Sequence, residues 1–192
     1  MSSQIEKVVL SSAVASAMGV ACGLGENVQV HGWYDAVCRD ADGNELWREH
    51  FPNLVVTQGK NDLLDKYFAG SAYTAAFFLG LISSTSYSAI VAADTMASHA
   101  GWLEAGGANT PTYAASTRPS VAWAAASAGT KAISPGIVFT FSGSGTVKGG
   151  FLTTNSTKDG TTGTLYSAGL FTGGDQPVVS TNTLTVSYTA GA

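Results

Sequence analysis

The chain has 192 residues, 11% of them charged and 45% apolar, with a formal net charge of −4 at pH 7. This length predicts one domain whose core needs no covalent staple, and the apolar fraction excludes a disordered chain. With no basic stripe to release counterions, a nucleic-acid partner is excluded as well.

Residues 1–26 are read as an N-terminal arm or first strand, and residues 27–192 as a single β-sandwich domain. "KVVL" (Lys7–Leu10) suits a strand, and the Ser- and Ala-rich run after it suits a helix or an extended arm. Serines dilute this run, and its one basic residue, Lys7, sits beside Glu6. Neither a membrane span nor a membrane partner is therefore expected. Cys22 and Cys38 are too few and too far apart to define a disulfide framework or a zinc site, so both are expected to be buried free thiols.

"VQVHGWYDAV" (Val28–Val37) predicts a strand, with a bulge or bend where Gly32 breaks the alternation. Asp42-Gly43 predicts a hairpin turn leading into a returning strand, Glu45–Phe51. Pro52 ends that strand, and "NLVV" (Asn53–Val56) reads as a short buried one. Thr57 caps a helix over about residues 58–69, stopped by Gly70. Leu63, Leu64, Tyr67 and Phe68 fall on one face of it, with Lys60, Asn61, Asp62, Asp65 and Lys66 making the wet face. The apolar face is expected to cover one open edge or end of the sandwich, so that Leu64→Asp would prevent folding.

Beyond Gly70 the chain changes character. "AYTAAFFLGLIS" predicts a buried strand. Turn signals then recur at Ala128-Gly129, Pro135-Gly136, Ser142–Gly145, Asp159-Gly160 and Gly173–Asp175. Between them lie "GIVFTF", "TVKGGFLTT", "GTLYSAGLF", "QPVVS" and "TLTVSYTA". Evenly spaced short strands with Gly-rich turns predict an all-β antiparallel sandwich of jelly-roll type, with one short helix.

Reactive constellations are not evident. His31, His50 and His99 are scattered without metal-ligand spacing. "FSGSG" (Phe141–Gly145) has the wrong spacing for a nucleophile elbow. "DADGNE" (Asp40–Glu45) starts like a calcium loop but reaches Phe51 where the bidentate Glu belongs. Asp35, Asp40, Asp42, Glu45 and Glu49 could supply a glycosidase pair, and Trp33 and Trp47 flank them as sugar-stacking candidates. The competing reading buries both tryptophans as cross-strand neighbours. No catalytic, cofactor-binding or metal residue is assigned, no cofactor is expected, and the chain is read as a non-enzyme.

Of the 22 charged residues, 14 lie in residues 1–70 and five in residues 121–192. So uncharged a surface suits one covered by other subunits. "NLVVTQGKNDLLDKYF", then "AAFFLGL", "DT", "GWLEAG" and Arg118, resembles a pattern in small virion structural proteins of tailed bacteriophages. The resemblance spans about Trp47 to Arg118, and residues 1–25 stand outside it. It implies a virion location and a structural role, as a capsid decoration (cement) protein or a head-tail accessory protein. It implies major capsid protein or other virion subunits as partners. A homo-oligomer, trimer or dimer, is expected, with Val8, Val9, Leu10, Val14, Val20 and Trp102 as interface candidates. An extended arm can add a strand to a neighbour's sheet. The alternative is a fibre, collar or lectin-like receptor-binding module, with Trp33 and Trp47 touching glycan.

Overall fold

A computed structural model describes residues 29–68 and 76–192 of the chain. The strands of its first half are β1 (His31–Arg39), β2 (Glu45–Pro52), β3 (Leu54–Val55), β4 (Phe78–Ser83) and β5 (Glu104–Ala105). Those of the second half are β6 (Thr130–Ala132), β7 (Ile137–Thr140), β8 (Gly145–Thr153), β9 (Leu165–Leu170), β10 (Gln176–Val178) and β11 (Thr183–Gly191). One helix, α1 (Thr57–Phe68), joins β3 to β4.

Period-two alternation builds the first sheet. Tyr34, Ala36 and Cys38 of β1 and Leu184, Val186 and Tyr188 of β11 are all buried. The two strands pair antiparallel from His31↔Gly191 to Arg39↔Thr183. β2 lines the other side of β1, and β6 and β7 pair with successive parts of β11. The β1–β2 turn is the expected hairpin. In it Asp40 Oδ1 accepts hydrogen bonds from the amides of Asp42 and Asn44, at 3.0 and 2.8 Å. Gly32 is not the expected bulge, because it pairs in register with Ala190, and the irregularity falls between Cys38 and Arg39. A glycine stands there because a Cβ would collide with the Tyr188 hydroxyl and the Thr189 carbonyl.

The second sheet runs β3-β9-β8-β4-β5, with β10 also on β8. Its strands read as near-continuous apolar runs because both faces are covered. Leu79, Leu81 and Leu152 face the first sheet in the main core, with Tyr34, Phe51, Phe139, Phe141 and Tyr188. Their neighbours Ile82 and Phe151 point the other way, into a second cluster with Val56, Leu165, Met96 and Trp102. Met96 and Trp102 come from the irregular segment 84–103, which therefore roofs this sheet. Each such side chain contributes about 1.5–3 kcal/mol relative to staying exposed. Two packed antiparallel sheets make the expected all-β sandwich.

The helix forms where the spacing predicts, but it faces the wrong way for that prediction. It packs on β9 through Gly59, where a Cβ would strike the Tyr166 carbonyl. Gln58 Oε1 fixes the same end by accepting from the Leu165 amide at 2.8 Å. At 100° per residue, Phe68 lies about 180° and Leu64 about 140° round the axis from Gly59. Leu64 and Phe68 are accordingly 52% and 76% exposed, instead of covering an edge of the sandwich. Leu63 and Tyr67, about 40° and 80° from Gly59, are 40% and 81% exposed, with Leu63 on the rim of the groove beside the helix. Backbone approach at the glycine, not the leucine pattern, decides which side is buried.

The arm residues Val8, Val9, Leu10, Val14 and Val20, together with Cys22 and the Gly70 stop, lie outside the described residues.

Candidate functional site

Four of the residues that carry the phage resemblance, Asp94, Trp102, Glu104 and Arg118, lie close together in space. Asp94 Oδ2 accepts from Trp102 Nε1 at 3.0 Å, and the Trp102 ring stacks on His99 and packs at a tilt against Phe151, with ring centres 4.0 and 5.1 Å away. Trp102 is fully buried, so this interface candidate belongs to the interior. Arg118 donates to both Glu104 oxygens, Nε to Oε1 at 2.8 Å and Nη2 to Oε2 at 2.7 Å. It also donates to the carbonyls of Asn155 and Gly160. Glu104 Oε2 takes a further bond from the Asp159 amide at 2.7 Å, and Asp159 Oδ2 accepts from the Ala108 amide at 2.8 Å.

Nearby, Lys158 Nζ donates to the Gly106 and Tyr113 carbonyls and lies 3.7 Å from the centre of the Tyr113 ring. Desolvation lowers the pKa of this ammonium and raises that of the buried Tyr113 phenol. A cavity of about 240 Å3 adjoins the network. Its charged groups are already hydrogen-bonded to one another and to backbone, so the arrangement ties together the loops that follow β5 and β8. A clasp of this kind is scaffolding.

The outer face of the first sheet is different. Trp33 sits there between His31 and His50, with ring centres 6.2 and 6.5 Å away. His50 Nδ1 and Asp35 Oδ1 are 2.8 Å apart. Register sets Thr189 beside Trp33 and Ser187 beside Asp35. Trp47 is on the opposite face, with its Nε1 donating to the Pro177 carbonyl at 3.1 Å and its ring edge-on to Phe171. The two tryptophans therefore do not form one platform.

The acidic candidates also disperse. Asp40 is held in the turn, and Glu45 pairs with Arg48. The Arg48 hydrogen bonds hold the Glu45 carboxyl below its usual range. Glu49 is buried and accepts from Thr172 Oγ1, the Gly173 amide and Gln176 Nε2. Among the described residues no group of three or more His, Cys, Asp or Glu is placed to hold a metal ion.

The third feature is apolar. A groove of about 180 Å3 opens beside α1, lined by Leu63, Phe77, Trp123, Leu152, Tyr166 and Ala190. Asp62, Lys66 and Lys131 border it. Its wall includes a buried Trp123 Nε1 with no hydrogen-bond partner. The exposed face of α1 continues from this groove through Leu63. Sequence reasoning found the four apolar residues of α1 but not the groove. The groove is assembled from β6, β8, β9, β11 and the segments before β4 and β6, and no local pattern announces it.

No protein family, curated protein or solved structure matches the chain. Among the described residues no helix is long and apolar enough to cross a membrane.

Proposed function

We propose that the chain is a non-enzymatic structural subunit of a bacteriophage particle, of the capsid decoration kind. It contacts major capsid protein and assembles with its own copies on the virion. The observation that carries this reading is the exposed apolar face of α1 running into the Leu63–Trp123 groove. Contiguous apolar surface of this kind marks a protein-docking site. The motif residues that prompted the resemblance support the reading from the other side. Asp94, Trp102, Glu104 and Arg118 are engaged in holding loops, which is work a scaffold needs. Rebinding to capsids stripped of accessory proteins tests it. Purified protein should decorate the shells at a fixed stoichiometry, and failure to bind shells of any candidate host particle would remove the reading.

One observation favours a second reading, a receptor- or glycan-binding module. Trp33 lies half-buried on the outer face of the first sheet, flanked by the rings of His31 and His50 and by Asp35. An indole beside hydrogen-bonding groups suits the apolar face of a sugar ring. A glycan array decides it. Binding that Trp33→Ala abolishes and Trp47→Ala spares would favour this reading over decoration.

A further inference from the structure

We infer that the outward stripe of α1 is a self-association surface, on which two copies of this chain pair antiparallel about a two-fold axis near Leu64. The inference rests on the reading of the chain as an assembly subunit and names one of its partners. Three observations carry it.

The first is exposure. Tyr67 and Phe68 are the two most exposed large apolar side chains among the described residues, and Leu64 lies beside them. Their rings already pack edge to face, with centres 5.0 Å apart, so little side-chain ordering remains to be done on binding.

The second is charge. Lys60 is exposed and lies one turn before Leu64 on the same stripe. The stripe thus carries a cation at its N-terminal end and two rings at its carbonyl end. Antiparallel pairing brings each Lys60 to the partner copy's ring pair and to the negative end of its helix dipole. Asp65, also exposed, flanks the stripe. Antiparallel pairing makes the Lys60 end and the ring end of the stripe self-complementary, as a closed two-fold contact allows.

The third is area. Two aromatic rings and two leucines at these exposures present on the order of 500 Å2. A firm interface uses ~800 Å2 per partner. The pair is therefore weak and concentration-dependent in isolation, and it tightens when copies are held side by side on a lattice.

Sedimentation equilibrium of the full chain, from about 1 to about 500 µM, reads this directly. A monomer–dimer equilibrium is expected. Lys60→Glu should weaken it about tenfold or more, and Leu64→Asp with Phe68→Ser should leave monomer across the range. Circular dichroism melts should match the parent for both variants, because these side chains point away from β9. A chain monomeric at every concentration overturns the inference, leaving the stripe to another segment of the chain or to another protein. A dimer indifferent to Lys60→Glu, or an oligomer surviving the Leu64 and Phe68 changes, overturns it equally. If monomeric protein still decorates stripped capsids, the subunit reading stands and only the self-pairing falls.

Discussion

Glu104 and Arg118 meet through two hydrogen bonds, 2.8 and 2.7 Å long, in a site where only 1% of the arginine is exposed. Neither would be stable there alone, because an unpaired buried charge is costly. Together with the Asn155 and Gly160 carbonyls and the Asp159 amide, they pin the loops that follow β5 and β8. Arg118→Met should destabilise the protein by about 3–5 kcal/mol, since it strands the Glu104 carboxylate. Adding Glu104→Met should recover much of that loss. Urea denaturation of the three variants measures both steps.

Leu64→Asp should leave the fold intact. The sequence pattern alone predicted collapse, but Leu64 is half exposed and points away from β9. A change within about 0.5 kcal/mol in unfolding free energy is expected, as for other surface sites. A large loss in the monomer would return the residue to the core.

Gly59→Ala should do more damage than Leu64→Asp, though it adds only a methyl group. The methyl would meet the Tyr166 carbonyl, so α1 must lift from β9. Overpacking of this kind costs about 1–3 kcal/mol. The helix propensity of alanine offsets up to about 1 kcal/mol. A lowered urea midpoint, with faster amide exchange in α1, would report it.

The β1–β2 turn should loosen in acid. Hydrogen bonds from Asn44, then from the Asp42 and Gly43 amides, hold the Asp40 carboxyl below its ordinary value. A carboxyl whose folded pKa is depressed stabilises the fold above its unfolded value, about 3.9, and loses that contribution as pH falls through the folded value. Exchange of the Asp42 and Asn44 amides should therefore accelerate below about pH 4. In Asp40→Asn protein the same amides should show no such step.

Much of the fold was legible because it is written locally. Leu184, Val186 and Tyr188 alternate with polar neighbours, and an alternating strand can bury only one face. Asp42-Gly43 marked the hairpin for the same local reason. The burial of β4 was legible too, because "FFLGLIS" is a near-continuous apolar run, but what covers its second face was hidden, since the roof is the irregular segment containing Met96 and Trp102. Nothing periodic marks a roof. The candidate site was less legible still. Trp33 and Trp47 looked like neighbours in sequence, but pairing with β1 and β2 sends them to opposite faces.

The sequence by itself determined the all-β character, the hairpin and the existence of α1, because hydrophobic period and turn chemistry act over a few residues. It could not determine what α1 does with its apolar face. That depended on where the backbone of β9 lies, and on a single glycine close enough to touch it. Close approach at Gly59 is a contact across more than a hundred residues, between positions that no short-range pattern relates. Only the tertiary structure turns Leu64, Tyr67 and Phe68 outward, and with them the stripe from scaffolding into surface.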